Sequence, residues 1–558
     1  MATIEAFTDL NRTVIRKGQV IHPVCKYPAR FEWLSQWFEL PDLNISCPEY
    51  DRFYRLIFPE QIWYVFSSYY LNNPSSSFGH SLLRFERKPR TGERHNPLLD
   101  HGVNFAAVPD TENPLLYAMK GMAGQFQGQY SILPYYFKVR EYSDFESRDL
   151  WSYRLTFSQK EKKRLVQHLW ELGGTYFDYY FFTENCSYQL LTLLDVAKPG
   201  LDLTSRIPYW VIPSETVRVI AGTPGLVNAE SYRPSLYRKY KTRKQQLSPA
   251  QQDHFDRLIK TGRTEDLRNH FTVPEAAAIL DTALDFTEFQ SPSLLTEETK
   301  DPRSEAFKFR LLKARASLSY VSPDLKTDVP ATEKPDQGHG TARSSLGLST
   351  DSETRTKTWL LEQRFAYHDF LDEVLGYPPH ALIEFMTIGG KIQDNGPEQK
   401  LSLDKFSLIK VQSLKSFTRL EPELSWLMDL GARQESFRDC DQCVSAFAEA
   451  GFGLAHMSAD DRHSLSAFLS LPTYIPTTGP GRILPGLSIR TEGIFQLKPG
   501  TRMQLKWTYR ETSNQPELSR QDLYGELRQK IFTSSAVSGF FSTSGDRYSL
   551  GGKIFYYY

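Results

Sequence analysis

The fold class is clearest from residues 502–509, which read Arg502-Met503-Gln504-Leu505-Lys506-Trp507-Thr508-Tyr509. Apolar and polar side chains alternate at every position. Successive side chains of a β-strand point to opposite faces, so this pattern predicts a strand with one apolar and one polar face. The same period of two recurs in 423–433, 464–471 and 547–558, and it holds from about residue 305 to the end of the chain.

This long series of alternating segments predicts an antiparallel β-barrel that spans the outer membrane. The apolar face would contact lipid, and the polar face would line the interior. We expect about twelve strands over residues 305–558. A soluble antiparallel sandwich also alternates, but the number of segments, the uniform polarity of one face and the apolar, aromatic last segment favour the barrel.

The length and charge of the chain limit the number of domains and the kinds of partner. The chain has 558 residues, which is too long for one ordinary core, and its 66 basic residues balance 66 acidic ones. This balance gives no reason to expect a nucleic-acid partner. We divide the chain into an N-terminal helical segment (1–58), an α+β catalytic domain (59–200), a helical linker layer (201–304) and the barrel (305–558).

The five cysteines suit two disulfides and one free thiol. We expect a Cys25–Cys47 bridge and a Cys440–Cys443 bridge, which leaves Cys186 unpaired and reactive. A Cys-x-x-Cys pair can also be a redox pair or half of a zinc site. No second such pair follows here, so a loop-closing disulfide is favoured. Two oxidised pairs would place the protein outside the cytosol.

An exported chain needs a signal peptide, and the first residues lack a basic region followed by an apolar one. We interpret Met1 as a replacement start on a mature chain. The predicted location is the Gram-negative outer membrane, with the N-terminal domain in the periplasm.

Two short patches carry the chemistry of the predicted catalytic domain. Phe78-Gly79-His80 leads into a predicted strand at 81–85, and a second strand is predicted at 101–107. Asn185-Cys186-Ser187 begins an apolar helix, where the helix dipole and free N–H groups would stabilise a thiolate. A histidine brought beside that thiol can accept its proton and later return it. The Gly-rich, aromatic segment 121–136 between the patches is predicted to be a loop.

These patches resemble the DUF4105 family, whose members carry the Lnb N-terminal periplasmic domain. The resemblance covers about residues 20–200, and the barrel region also looks like the C-terminal half of Gram-negative members. The matching motifs are Asn73-Pro74-Ser75, Phe78-Gly79-His80-Ser81-Leu82-Leu83-Arg84, Val103-Asn104-Phe105-Ala106-Ala107, Arg148-Asp149-Leu150-Trp151 and Glu184-Asn185-Cys186-Ser187-Tyr188.

The resemblance implies an α+β fold of the permuted papain-like (NlpC/P60-like) kind, similar also to lecithin–retinol acyltransferase. It implies that Cys186 is the nucleophile and His80 the base. The residue that orients His80 would lie on the 101–107 strand, where Asn104 matches the family motif and His101 competes with it. These two residues are three apart, so they point to opposite faces of a strand and only one can serve.

The implied activity is that of a thiol acyltransferase or hydrolase that acts on lipid or lipoprotein acyl groups through a thioester on Cys186. One alternative is an NlpC/P60-like peptidoglycan peptidase or amidase, and another is a non-catalytic barrel with a degenerate periplasmic binding domain. The expected partners are a membrane lipid or lipoprotein and the outer-membrane bilayer. No cofactor is expected. The histidines show no metal-ligand spacing, so no metal is expected either.

Overall fold

The computed structural model describes residues 2–41, 44–69, 78–89, 92–207, 209–265, 267–291, 301–327, 334–352, 355–378, 380–394, 399–418, 420–437, 440–458, 460–476, 483–513, 519–544 and 547–558. The chain divides into two compact units, Met1–Pro330 and Ala331–Tyr558. No helix within these described ranges is long and apolar enough to cross a bilayer.

The first unit contains helices and short strands. Its helices are α1 (Ala2–Thr8), α2 (Pro23–Lys26), α3 (Pro28–Leu34), α4 (Pro48–Ile57), α5 (Pro114–Met122), α6 (Tyr135–Val139), α7 (Gln159–Leu172), α8 (Cys186–Ala197), α9 (Pro213–Ala221), α10 (Leu236–Gln246), α11 (Pro249–Thr261), α12 (Leu267–His270), α13 (Val273–Gln290) and α14 (Pro302–Ala316). Its strands are β1 (Val14–Arg16), β2 (Gln19–Ile21), β3 (Gln61–Ser67), β4 (His80–Glu86), β5 (His101–Val108), β6 (Phe126–Pro134), β7 (Leu150–Leu155), β8 (Phe177–Tyr179) and β9 (Val227–Arg233).

Seven of these strands form one antiparallel sheet in the order β8-β6-β5-β4-β3-β7-β9. Helices α7 and α8 pack together, and their leucines share one apolar core with the buried residues of β3 and β4. Burial of this continuous apolar surface is the main favourable term that holds the unit together. The result for function is that the first turn of α8 lies against the sheet near the beginning of β4.

The segment 121–136 is not the loop that its composition predicts. It contains the end of α5 and all of β6, which pairs with β5 along its whole length. Position 128 within this strand takes glycine because a Cβ atom there would lie 2.3 Å from the ring of Phe105. The glycine therefore reflects close packing of an aromatic ring against the backbone, and it does not mark a break in the strand.

The second unit is a closed antiparallel barrel of twelve strands, and this confirms the predicted architecture. The strands are β10 (Arg343–Asp351), β11 (Lys357–His368), β12 (Ala381–Asp394), β13 (Gln399–Ser413), β14 (Ser425–Phe437), β15 (Cys440–Met457), β16 (His463–Pro476), β17 (Leu484–Lys498), β18 (Thr501–Thr512), β19 (Arg520–Phe532), β20 (Ser535–Ser544) and β21 (Arg547–Tyr557). The barrel closes where β10 pairs with β21. Its first strand begins at Arg343, and residue 305, the predicted boundary, lies within α14.

The faces of the barrel distinguish it from a soluble sandwich. On β16, Leu465, Leu469 and Leu471 are 57%, 56% and 62% exposed on the outer surface, and the serines between them are buried. The outward side chains of the last strand are likewise large and apolar. An apolar exterior around a polar interior is the arrangement that a bilayer requires.

Candidate functional site

Cys186 is the first residue of helix α8, and Asn185 fixes the start of that helix. The Asn185 side-chain oxygen accepts hydrogen bonds from the backbone N–H groups of Ser187 (3.0 Å) and Tyr188 (3.2 Å). Its amide group donates to the carbonyl oxygen of Val211 at 2.6 Å. A fully bonded asparagine at the N-cap holds the helix start in one place. The Cys186 thiol consequently lies at the positive end of the helix dipole.

His80 is the first residue of β4, and the residue before it must be glycine. Gly79 has a φ of 85°, and a Cβ atom there would lie 2.6 Å from the ring of Phe66 and 2.9 Å from the carbonyl oxygen of Ser67. A larger residue would therefore displace the strand start and His80 with it. This requirement explains the Phe-Gly-His motif found in the sequence.

Asn104 on β5 orients the imidazole of His80. The Nε2 atom of His80 lies 2.7 Å from the Oδ1 atom of Asn104. An amide oxygen only accepts, so Nε2–H is the donor, and the lone pair of the neutral ring is then on Nδ1. Of the two candidates on this strand, the structure thus brings Asn104 to His80. His101 is half-buried at the other end of β5, where it pairs with Phe85 and Pro134.

The imidazole of His80 reaches the Cys186 thiol, and the two groups perturb each other. Burial raises the pKa of Cys186, but the positive charge of His80 and its hydrogen bond, together with the Ser81 N–H and the Ser187 hydroxyl, outweigh burial and lower the pKa to about 7. Burial lowers the pKa of His80, but the Cys186 thiolate and the Asn104 hydrogen bond raise it above its usual value. The pair therefore favours thiolate and imidazolium near neutral pH.

Two tyrosines complete the surroundings of this pair. The ring of Tyr142 lies 5.4 Å from the ring of His80, and Tyr142 belongs to a π-helical turn, Arg140–Phe145. Turns of this kind are frequent at functional sites. The hydroxyl oxygen of Tyr179, at the end of β8, accepts a hydrogen bond from the Cys186 N–H at 3.3 Å. Burial, and then the Cys186 charge, raise the pKa of Tyr179 well above its usual value, so its hydroxyl stays protonated.

Sequence reasoning did not single out Tyr142 or Tyr179. The sequence signal that could have identified Tyr179 was its position seven residues before Cys186, in an extended segment. Tyr142 offered none, because a π-helical turn has no clear sequence signature. Asn73, Pro74 and Ser75 of the family motif lie outside the described residues.

The cysteines outside the site are oxidised where they are described. Cys25 and Cys47 form a disulfide. Cys443 is also disulfide-bonded, while the side chain of its predicted partner, Cys440, lies outside the described residues. Cys186 is the free cysteine of the described chain. The thiol at the helix start is therefore available for chemistry.

Among the described residues, one group of side chains has the spacing of metal ligands, and it lies in the barrel unit. The Nε2 atom of His339 is 3.2 Å from the Nδ1 atom of His368, and both nitrogens are 3.9 Å from the Oδ2 atom of Asp372. That Oδ2 atom is also 2.7 Å from a guanidinium nitrogen of Arg364. A cation bound there would face a fixed positive charge, so we assign no metal to this group.

Comparisons with known families agree with both units. Residues 49–223 match the model of the Lnb N-terminal periplasmic domain, which confirms the resemblance found in the motifs. Residues 332–538 match a domain of unknown function, DUF7840. The chain has no match among curated proteins.

Several solved outer-membrane structures are similar to the barrel unit. The NanC porin is 4% identical and covers 38% of this chain and 100% of its own, with a TM-score of 0.26. An outer membrane channel from Pseudomonas putida F1 is 7% identical and covers 41% and 99%, also with a TM-score of 0.26. Omp33 of Acinetobacter baumannii is 10% identical and covers 39% and 99%, with a TM-score of 0.22. At these scores the likeness carries no argument about function.

The family match and the barrel together fix the class and location of the protein. A closed barrel with an apolar exterior belongs in the outer membrane, and the Lnb domain belongs to the periplasm. Residues 49–223 therefore match the Lnb N-terminal periplasmic domain, and the same chain continues into a twelve-stranded outer-membrane β-barrel.

Proposed function

We propose that the Cys186 site transfers or hydrolyses acyl groups of a membrane lipid or lipoprotein through a thioester on Cys186. One observation carries this proposal: a buried cysteine at a helix start faces a histidine whose other nitrogen is held by Asn104. This is the arrangement of an activated cysteine nucleophile with its base and an orienting residue. The site also agrees with the papain-like domain that the family resemblance implies.

The first half-reaction forms the thioester. The His80 imidazole takes the proton of the Cys186 thiol, and the thiolate attacks the acyl carbonyl carbon. The carbonyl π electrons move to oxygen and form a tetrahedral oxyanion. When this intermediate collapses, the bond from carbon to the alcohol oxygen breaks, and the imidazolium of His80 gives its proton to the leaving alcohol.

The second half-reaction releases the acyl group. His80 removes a proton from an incoming amine or water, which attacks the thioester carbonyl. The bond from carbon to the Cys186 sulfur breaks, and the thiolate is regenerated. An amine acceptor gives an amide and water gives a free acid, so the two outcomes differ in the acceptor alone.

Tyr179 supports the oxyanion in this proposal. Its hydroxyl now accepts the hydrogen bond of the Cys186 N–H. A substrate oxyanion at that position would accept from the same N–H group, and the Tyr179 hydroxyl would turn to donate to it. Burial keeps this hydroxyl protonated, which a donor requires. Removing one such donor commonly costs about 100-fold to 1000-fold in turnover.

An exposed apolar helix favours an acyl substrate over a peptidoglycan one. Leu116, Met119 and Met122 are exposed on α5 at spacings of three residues, so they form one apolar stripe. The same helix packs the ring of Tyr117 against the ring of Phe181, 5.4 Å away and two residues beyond Tyr179. An exposed apolar stripe on a helix that packs against the segment following Tyr179 suits a fatty chain, whereas peptidoglycan is polar.

The experiment uses the full chain in proteoliposomes that contain diacyl phospholipid and a diacylated lipopeptide with a free amine. We expect mass spectrometry to find an acyl group on Cys186 that hydroxylamine removes, and we expect a new N-acyl peptide or free fatty acid. Cys186→Ser should lose the adduct that hydroxylamine removes, because any acyl group on serine would be a stable ester. Tyr179→Phe should still be alkylated by iodoacetamide but should turn over at least about 100-fold more slowly.

Two results would contradict the proposal. Failure of the native Cys186 thiol to react with iodoacetamide, while denatured protein reacts fully, would exclude a reactive thiolate. Cleavage of purified sacculi by the wild type, lost in Cys186→Ala and without any acyl adduct, would assign a peptidoglycan hydrolase instead.

A further inference from the structure

A short turn after β11 lies inside the barrel unit. Residues 369–372 follow the last residue of that strand, and two of them, Phe370 and Asp372, are 1% and 0% exposed. Turns at the rim of a transmembrane barrel are ordinarily in water. Both an aromatic ring and a carboxylate are buried here, so the turn needs partners within the barrel.

The carboxylates of the turn face one arc of the barrel wall. Asp372 Oδ1 accepts hydrogen bonds from Arg528 (2.7 Å), Arg343 (3.1 Å) and the Tyr557 hydroxyl (2.7 Å). Asp369 accepts a hydrogen bond from Arg528 at 2.9 Å and also pairs with Arg343. These partners come from β10, β19 and β21, which lie near the seam where the barrel closes.

The aromatic residue of the turn faces the remaining arc. Phe370 belongs to a buried apolar cluster with residues of β12, β14, β15, β16 and β17 and of the segment after β13; these residues are Leu382, Leu414, Leu427, Ala455, Phe468 and Ile494. The turn thus has ionic partners near the seam and belongs to an apolar cluster whose other members come mostly from strands away from the seam. A segment held in this way on both arcs occupies the lumen between them.

Polar and charged side chains also pair between strands of the barrel elsewhere. Glu449 on β15 pairs with Arg490 on β17 at 3.0 Å, with Ser470 on the strand between them hydrogen-bonded to the same carboxylate. Glu492 on β17 accepts hydrogen bonds from Gln412 on β13 at 2.5 Å. Paired groups of this kind resist separation, because parting them leaves a charge without its partner.

We propose that residues 369–372 plug the barrel, so that the barrel is a membrane anchor and not an open diffusion channel. The two carboxylates and the phenyl ring make the contacts of the plug. Arg343, Arg364 and Arg528 on the barrel strands form ion pairs with its carboxylates. This inference concerns the barrel unit alone and does not depend on the chemistry of Cys186.

The test measures ion conductance of the full chain in planar lipid bilayers. Wild type should show no steady open-channel steps. Asp369→Asn combined with Asp372→Asn removes both charges of the plug. We expect ion flux to rise about tenfold or more, because the turn no longer forms ion pairs with the arginines of the barrel strands. Phe370→Ala removes the phenyl ring from the apolar cluster and leaves the ion pairs in place. It should also raise ion flux. Asp404→Asn, which removes a half-exposed carboxylate of β13 that pairs with Lys391 outside the turn, is the matched control and should stay silent.

Each variant is first shown to be folded by its faster migration in unheated electrophoresis samples. Conductance in folded Phe370→Ala or in the folded double variant, with silence in wild type and Asp404→Asn, supports the plug. Steady conductance in wild type would overturn the proposal. Silence of both folded plug variants would also overturn it, because the lumen would then be closed by other groups.

Discussion

The substitution His80→Gln removes the positive charge that faces the Cys186 thiolate. The pKa of this thiol is lowered from 9.0 to about 7, although burial acts in the opposite direction. A shift of two pKa units corresponds to roughly 2.7 kcal/mol in favour of the thiolate. Glutamine keeps a side chain that can hydrogen-bond to Asn104 but carries no charge. We therefore expect the pKa of Cys186 to return to its ordinary value or above it.

The assay is the rate of alkylation by iodoacetamide as a function of pH, measured on the intact chain. A thiol loses its proton as pH rises, so the lowered pKa predicts that the wild-type rate reaches half its maximum near pH 7. In His80→Gln this midpoint should rise by at least about two pH units. The rate at one pH is a weaker test. In His80→Gln the fraction of Cys186 present as thiolate at pH 7 falls roughly 50-fold. The more basic thiolate of the variant is, however, intrinsically about 6-fold to 10-fold more nucleophilic, so the rate falls less than the thiolate fraction.

A wild-type midpoint near 9.0, the ordinary value from which the pKa of this thiol is lowered, would contradict the predicted stabilisation of the thiolate. An unchanged midpoint in His80→Gln would refute it equally, since the imidazole would then not be the group that stabilises the thiolate. His101→Gln is the matched control, because His101 lies on the neighbouring strand and pairs away from His80. Its midpoint should equal that of the wild type.

Three further variants test the site, the disulfide and the barrel. Asn104→Ala should lower turnover at least about tenfold while the unfolding temperature changes little; equal turnover would show that the hydrogen bond to the base is dispensable. Cys25→Ser with Cys47→Ser opens a loop of 22 residues and should lower the free energy of unfolding by roughly 3 kcal/mol in urea; an unchanged midpoint would contradict this. Leu469→Arg should destabilise the vesicle-embedded barrel by about 2–4 kcal/mol, whereas Leu469→Val should not.

The barrel could be predicted because the alternation of apolar and polar residues is visible within each short segment of the sequence. A period of two repeats along each segment and indicates which face contacts lipid. On β16 the leucines at 465, 469 and 471 are exposed and the serines at 464, 466 and 470 are buried, with Phe468 the apolar exception on the inner face. The start of α8 was predictable for the same reason, since asparagine before a cysteine and an apolar run is a local cap signal. The predicted barrel start at residue 305 falls instead within helix α14, because Phe307, Phe309 and Leu311 of that helix also alternate with polar residues as in a strand.

The side chains that occupy the barrel lumen could not be predicted from the sequence. The same alternation of apolar and polar residues is found in barrels with an open lumen and in barrels with a closed one. Polar residues alternate with apolar ones in both cases, and nothing near Arg528 in the sequence indicates that its partner is Asp372, 156 residues earlier. Opposite charges that meet across a lumen exclude water, whereas those same charges held apart would attract it. In the proposed plug, closure of the lumen therefore depends on which acidic residue folds inward to which arginine, and that pairing is a property of the tertiary structure.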